Sequence, residues 1–273
     1  MEKIKRTERI AALSRILMSR PNEVMSFSVF SERFSAAKST LSEDMAIIDH
    51  ALRENGLGQL QTIPGAAGGV RFRPLIVKNE AYNFLTWVSA LLSEPGRILP
   101  GGYLYLSDIL GNPAIVRGMS EIIASSWYDE KPDFILTMET KGIPVAMMTA
   151  DFMNIPLVIA RRQSRVYEGS AVNINYPSGK GSIETMSLSR RAVKDGQRAL
   201  IVDDLIRGGG TARGLLSLME EFSVEVVGLS FVLSQDTPPR KPIEKEKSLM
   251  FFSGDGENEP LQVRPAEWIT LSS

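Results

Sequence analysis

Apolar residues recur at helical spacing three times in the first 54 positions. Ile10, Leu13, Ile16 and Leu17 predict a helix over 4–20 that Pro21 stops. Val29, Phe30 and Phe34 predict a short second helix over 28–34 with all three side chains inward, and Ser35-Ala36-Ala37 forms the turn out of it. Leu41, Met45, Ile48 and Leu52, spaced by four, three and four, predict a third helix over 38–53, terminated by Gly56. His50 sits beside this stripe and reads as a half-buried packing residue. The period then changes to two. Residues 59–63 alternate like a strand, 64–69 turn, and 70–73 return before Pro74. Three helices and a hairpin make residues 1–74 one unit.

Residues 75–273 follow a different rhythm. Ala81, Phe84, Leu85, Val88, Leu91 and Leu92 mark a helix over 79–92, and Pro-Gly clusters then punctuate a loop-rich stretch holding Tyr103, Tyr105 and Asp108. A helix over 114–127, a strand over 133–138, a helix over 145–152 and a strand over 157–160 follow, with further strands at 199–202 and 224–234. Strands alternating with helices predict an α/β unit built on a parallel sheet. Between them, 161–182 is polar, glycine-containing and basic at Arg165 and Lys180. A long irregular segment of this kind is a lid or simply disordered; its basic residues suit closing over a diphosphate or touching DNA, and the sequence favours neither.

The chemistry concentrates at 199–214. Four apolar residues end in two adjacent carboxylates, Asp203 and Asp204; Arg207, Gly208, Gly209, Gly210 and Thr211 then open an amphipathic helix. Glycines let backbone N–H groups approach a phosphate closely, and the helix adds its positive dipole end. The carboxylates repel a phosphate. They suit ribose hydroxyls or a Mg²⁺ ion carried by a polyphosphate. Phosphoribosyl pyrophosphate combines a ribose, a monophosphate and a metal-bound diphosphate.

Composition narrows the classes. The chain has no cysteine and a single histidine, which excludes disulfides, thiolate metal sites, a histidine zinc site and a serine triad. Chemistry must run on carboxylates, Lys, Arg and backbone donors. The net charge of −1 hides an asymmetry: residues 1–74 carry 11 Lys and Arg against 8 Asp and Glu, the rest 20 against 24. No apolar run approaches the ~20 residues of a membrane span, and the N-terminal residues do not form a leader, so the expected location is the cytoplasm.

The strand, acidic pair and glycine loop resemble the signature of type I phosphoribosyltransferases, with Gly208 where that family has its first loop threonine. The resemblance implies that Asp203 and Asp204 take the ribose and that Arg207 to Thr211 take the 5′-phosphate. It extends to Glu139, Thr140, Lys141 and Gly142, placed like the family's pyrophosphate loop, and to Arg161 and Arg162, placed like its basic pair. The lid segment matches the family's flexible loop in position. The first unit resembles a winged helix-turn-helix. There Lys38, Ser39, Thr40 and Ser42 stand where a recognition helix meets DNA, and Arg71 and Arg73 stand on the wing; Glu43 and Asp44 in the same helix weigh slightly against DNA.

The fusion of the two units, covering essentially the whole chain, resembles the purine operon repressors of Gram-positive bacteria. That resemblance implies a homodimeric, double-stranded-DNA-binding repressor of purine synthesis and transport genes, not an enzyme, with no tightly bound cofactor. Phosphoribosyl pyrophosphate, with Mg²⁺, would then be an effector. Two alternatives stay open: an active purine phosphoribosyltransferase, or the same repressor with a guanine nucleotide alarmone as competing co-repressor.

Overall fold

The computed structural model describes residues 4–65, 67–100, 103–163, 169–177, 182–236, 243–254 and 259–269. The chain divides into two compact units, Met1–Val77 with Asp151–Asn154, and Lys78–Ala150 with Ile155–Ser273.

The first unit holds α1 (Arg6–Met18), α2 (Phe27–Phe34), α3 (Lys38–Glu54), β1 (Gln59–Ile63) and β2 (Gly69–Arg73). The periodic residues form its core: Leu13, Leu17, Phe30, Leu41, Met45, Ile48 and Leu52 are all buried, joined by Leu60, Val70 and Phe72 of the hairpin. Val29 is an exception, about half exposed, because an eight-residue helix buries only a narrow face and Phe30 takes it. His50 is exposed, contrary to the packing role expected of it. Ser35 adopts the left-handed conformation that ends α2 (φ 48°). Met25, just before α2, bonds to Val70 in both directions (2.9 Å each), an isolated antiparallel bridge on the edge of the hairpin. Gly69 permits this, since a Cβ there would overlap the Met25 carbonyl.

The second unit is built on a six-stranded sheet. Its strands are β5 (Phe134–Met138), β6 (Leu157–Ala160), β9 (Arg198–Ile206), β10 (Glu225–Gln235), β11 (Glu246–Ser253) and β12 (Gln262–Pro265), in the order β12-β11-β10-β9-β5-β6. All neighbours are parallel except the edge pair β11–β12. Helices α4 (Lys78–Leu92), α6 (Pro113–Trp127), α7 (Ile143–Met153, as far as Ala150) and α8 (Gly210–Glu221) belong to the same unit, with a short α5 (Ser107–Leu110) and the small hairpin β3 (Ile98–Leu99) and β4 (Tyr103–Leu104). The strands of the sheet centre are predominantly apolar, as strands covered on both faces tend to be: all five residues of β5 are buried, Thr137 among them.

Three departures from the sequence reading affect the site. Strand β9 does not stop at Val202 but runs through Asp203 and Asp204 to Ile206, pairing Asp203 with Phe231 of β10. Much of the expected irregular lid is regular: β7 (Ala171–Pro177) pairs antiparallel with β8 (Ile183–Ser189) because Val172, Tyr176, Met186 and Leu188 alternate into the core. Arg165 and Lys180 lie outside the described residues. Gly214 lets the hairpin sit close on α8, for a Cβ there would meet Met186 Cε at 2.7 Å and Tyr176 Cγ at 3.0 Å. Finally, β11 and β12 supply strands that the charged tail concealed.

Candidate functional site

The site forms at the carboxyl ends of β5, β6 and β9, where open parallel sheets bind ligands. Beyond Ile206 the chain bends at Arg207 and Gly208, and Gly209 takes a left-handed conformation (φ 75°) as the residue that starts α8. Gly210 and Thr211 begin the helix, so its first N–H groups and dipole face the bend. Arg213 Nη1 donates to the Gly208 carbonyl (2.9 Å), closing the loop on itself. Gly208 has open space around its Cα and a conformation open to any residue, so the missing threonine leaves room and removes only a hydroxyl.

Asp203 is buried and accepts the Asp204 N–H at Oδ1 (3.0 Å). Burial, then the neighbouring charge of Asp204, pushes its carboxyl well above the ordinary range; burial raises Asp204 as well, with Lys141 acting against it. Gly142 lies directly over Asp203: a Cβ there would overlap Asp203 Oδ1 and come within 2.7 Å of Thr137 Oγ1. Thr137 Oγ1 is itself buried without a hydrogen-bond partner. The peptide joining Glu139 to Thr140 is cis. Loop 139–142 and the acidic strand are thus one packed assembly.

A cavity of about 510 Å³ collects Lys141, Arg162, Asp203 and the run from Arg207 to Thr211 on one wall system. Asp204, Glu139, Thr140, Gly142 and Arg161 do not line it. Glu139 instead accepts the Arg162 N–H (2.9 Å) and pairs with Arg161 (3.3 Å), so it orients the basic pair. Arg207 lies over the Phe252 ring (5.6 Å), and burial lowers its pKa. The sequence reading missed Tyr103, Phe231, Gln235 and Glu184 as lining residues. Tyr103 was visible in its glycine-rich stretch, but nothing local marked Glu184, whose partners come from other segments.

The electrostatics fit an anion with hydroxyls. Cations and helix N–H groups line the cavity together with the buried carboxylate of Asp203, which needs donors. Among the described residues no group of three or more acidic or histidine side chains forms a metal cluster. A Mg²⁺ ion borne by a polyphosphate needs only one or two carboxylates besides its own phosphates and waters, which this pair can supply.

The raised pKa has a stability consequence. A carboxyl whose folded pKa lies above its unfolded value stabilises the fold fully below the unfolded pKa, and this contribution is lost as pH rises through the folded one. At neutral pH Asp203 is therefore a burden that the site carries. Asp203→Asn is expected to raise the melting temperature at pH 7.5, with the gain shrinking on acidification; a gain that grew toward low pH would contradict this origin.

In the first unit α3 presents Lys38, Ser39 and Ser42 to solvent, with Thr40 half-buried. Ala37 before it offers no capping side chain, leaving the first N–H groups for an anion. Asp44, which counted against DNA from sequence, is fully buried and bound by Arg9 (2.6 Å) and Arg6 (3.0 Å), so it presents no charge outward. Glu43 is exposed and paired with Arg6 (3.3 Å). On the hairpin, Arg71 lies opposite Gln61 and donates twice to its Oε1 (3.0 and 2.9 Å), and Arg73 is half-buried. Both arginines sit in β2 rather than at the turn. Lys38→Ala is expected to weaken binding of double-stranded DNA and lower its salt dependence by about one counterion; Thr40→Ala should weaken it too.

Comparison with known proteins agrees with both geometries. Residues 5–74 match the bacterial purine repressor N-terminal family, and residues 106–261 the phosphoribosyl transferase domain. The purine biosynthesis transcriptional repressor PurR of Bacillus subtilis (strain 168) is 40% identical over 252 residues, covering 92% of this chain and 88% of that one. The purine biosynthesis transcriptional activator PurR of Lactococcus lactis subsp. lactis is 39% identical over 248 residues, covering 90% and 92%. The crystal structure of adenine phosphoribosyltransferase from Thermoanaerobacter pseudethanolicus superposes with a TM-score of 0.53 at 20% identity, over 61% of this chain and 99% of that one, which shows the fold of the second unit. Among the described residues no helix is long and apolar enough to cross a membrane. A helix-turn-helix unit followed by a phosphoribosyl transferase fold, matched along almost the whole chain, places this protein in the family of bacterial purine biosynthesis transcriptional regulators.

Proposed function

We propose that this chain represses purine synthesis and transport genes by binding operator DNA through its winged-helix unit, and that phosphoribosyl pyrophosphate, with Mg²⁺, releases it. The observation that carries the reading is the single cavity joining Lys141, Arg162 and the glycine loop at the start of α8 to buried Asp203. Phosphates would meet the cations and helix N–H groups, and the ribose diol would donate to Asp203, with Asp204 next to it on β9. A ligand regulates only by binding two states unequally, so it must favour the DNA-free state; operator DNA must then weaken the ligand by the same factor. The relatives named repressor and activator differ in outcome at the promoter, and this coupling serves either. A homodimer suits the reading, since a two-fold protein reads a two-fold operator.

The domain acts here as a sensor and transfers nothing. Its test is direct: incubation with Mg²⁺, phosphoribosyl pyrophosphate and each purine base should release no pyrophosphate above the blank. Turnover would make it an enzyme. A second ligand has an observation in its favour. Tyr103, half exposed on the cavity wall, offers a ring on which a purine can stack. A guanine nucleotide carrying a diphosphate would use the same cradle and act as a competing co-repressor.

A further inference from the structure

Arg162 reaches the cavity already engaged. Its Nη1 lies 3.2 Å from Glu184 Oε2, on β8. The same oxygen accepts the hydroxyl of Tyr176 (3.0 Å), the residue directly opposite Glu184 across the β7–β8 hairpin. Tyr176 OH also meets the side chain of Thr211, in the phosphate loop. One carboxylate oxygen therefore gathers a cation that lines the cavity and, through one tyrosine, a hydroxyl that lines it too. Arg162 and Glu184 also line a second, polar cavity of about 500 Å³ with Gln163, Asn173 and Thr185. The ion pair is the partition between the two spaces.

We propose that Glu184 is an internal anion standing in for ligand phosphate: it holds Arg162 and, through Tyr176, Thr211, until a polyphosphate displaces it. The charge pattern supports this. Arg162 has two carboxylate neighbours of different kinds: Glu139 takes its backbone N–H and leaves the guanidinium free to turn, whereas Glu184 takes the guanidinium itself. The guanidinium is largely exposed and the carboxylate partly so, so the bond is weak and exchangeable. A diphosphate offers the guanidinium more charge and a pair of oxygens for a bidentate contact, where Glu184 supplies one contact. Its arrival frees Glu184 and Tyr176, both on the hairpin that rests on α8, so ligand occupancy is passed to the hairpin through these two residues. Glu184 thereby sets the ligand concentration at which the site fills.

This inference rests on the reading of the pocket as a polyphosphate site, and the experiment separates the two. Inorganic pyrophosphate and phosphoribosyl pyrophosphate, each with Mg²⁺, are titrated calorimetrically into the full chain and into E184Q, R162Q and the double variant. Glutamine keeps an acceptor for Tyr176 and removes the charge. E184Q is expected to bind about two- to fivefold more tightly than the wild type, the range an exposed pair supports. R162Q should bind more weakly, and adding E184Q to it should restore nothing. Equal or weaker binding by E184Q overturns the internal anion while leaving the pocket assignment intact. An equal gain in the R162Q background also overturns it, since the effect would then be general repulsion rather than competition for Arg162. Failure of the wild type to bind either probe overturns both readings.

Discussion

Replacing Asp203 and Asp204 together by alanine is expected to abolish release by phosphoribosyl pyrophosphate while operator binding stays intact. The pair sits on β9 in the second unit, and the DNA-contacting candidates sit on α3 in the first. Hydrogen bonds to charged acceptors contribute about 1.5–3 kcal/mol each, so losing two weakens the ligand by about a hundredfold or more. Calorimetry reads that loss, and operator binding read alongside shows whether the DNA unit is untouched. The variant should fold well, since it sheds two carboxyls whose ionised forms burial disfavours. Loss of DNA binding in a folded double variant would contradict the two-site account.

The second large effect lies in the DNA unit. Asp44→Ala is expected to destabilise it by about 3–5 kcal/mol, because it strands the buried Arg9 guanidinium without a partner. That is a large share of the ~5–15 kcal/mol that holds a typical domain together. Thermal melting should show the first unit unfolding at lower temperature, with operator affinity falling in step and effector affinity unchanged. A melting curve indistinguishable from the wild type would mean that the Arg9–Asp44 pair contributes nothing net.

Asp44 also shows what was and was not legible in the sequence. Periodicity placed α3 and its buried stripe, Leu41, Met45, Ile48 and Leu52, because one face of a long helix must meet a core. It could not say that Asp44 turns inward to Arg9, 35 residues away, since pairing across elements leaves no local pattern. The phosphate loop was readable because its glycines and acids are contiguous. The extension of β9 through Asp203 and Asp204 was not, because two carboxylates look like the end of a buried strand; the site tolerates them by raising their pKa values. In β7 and β8 the alternation of Val172 with Tyr176 and of Met186 with Leu188 was present but masked by flanking Gly, Pro and Lys. The same masking hid β11, whose apolar run Leu249 to Phe252 follows a stretch of Lys and Glu. Glu139 was readable as part of a loop, yet its role in orienting Arg161 and Arg162 emerged only from where β6 ends.

The measurement closest to the central claim is fluorescence anisotropy of purine-gene promoter fragments with the purified protein, titrated with and without Mg²⁺ and phosphoribosyl pyrophosphate. The account predicts tight binding at low salt, where the electrostatic contribution is greatest, and release as the effector is added. Absence of DNA binding at low salt, or DNA binding that the effector leaves unchanged, would contradict it.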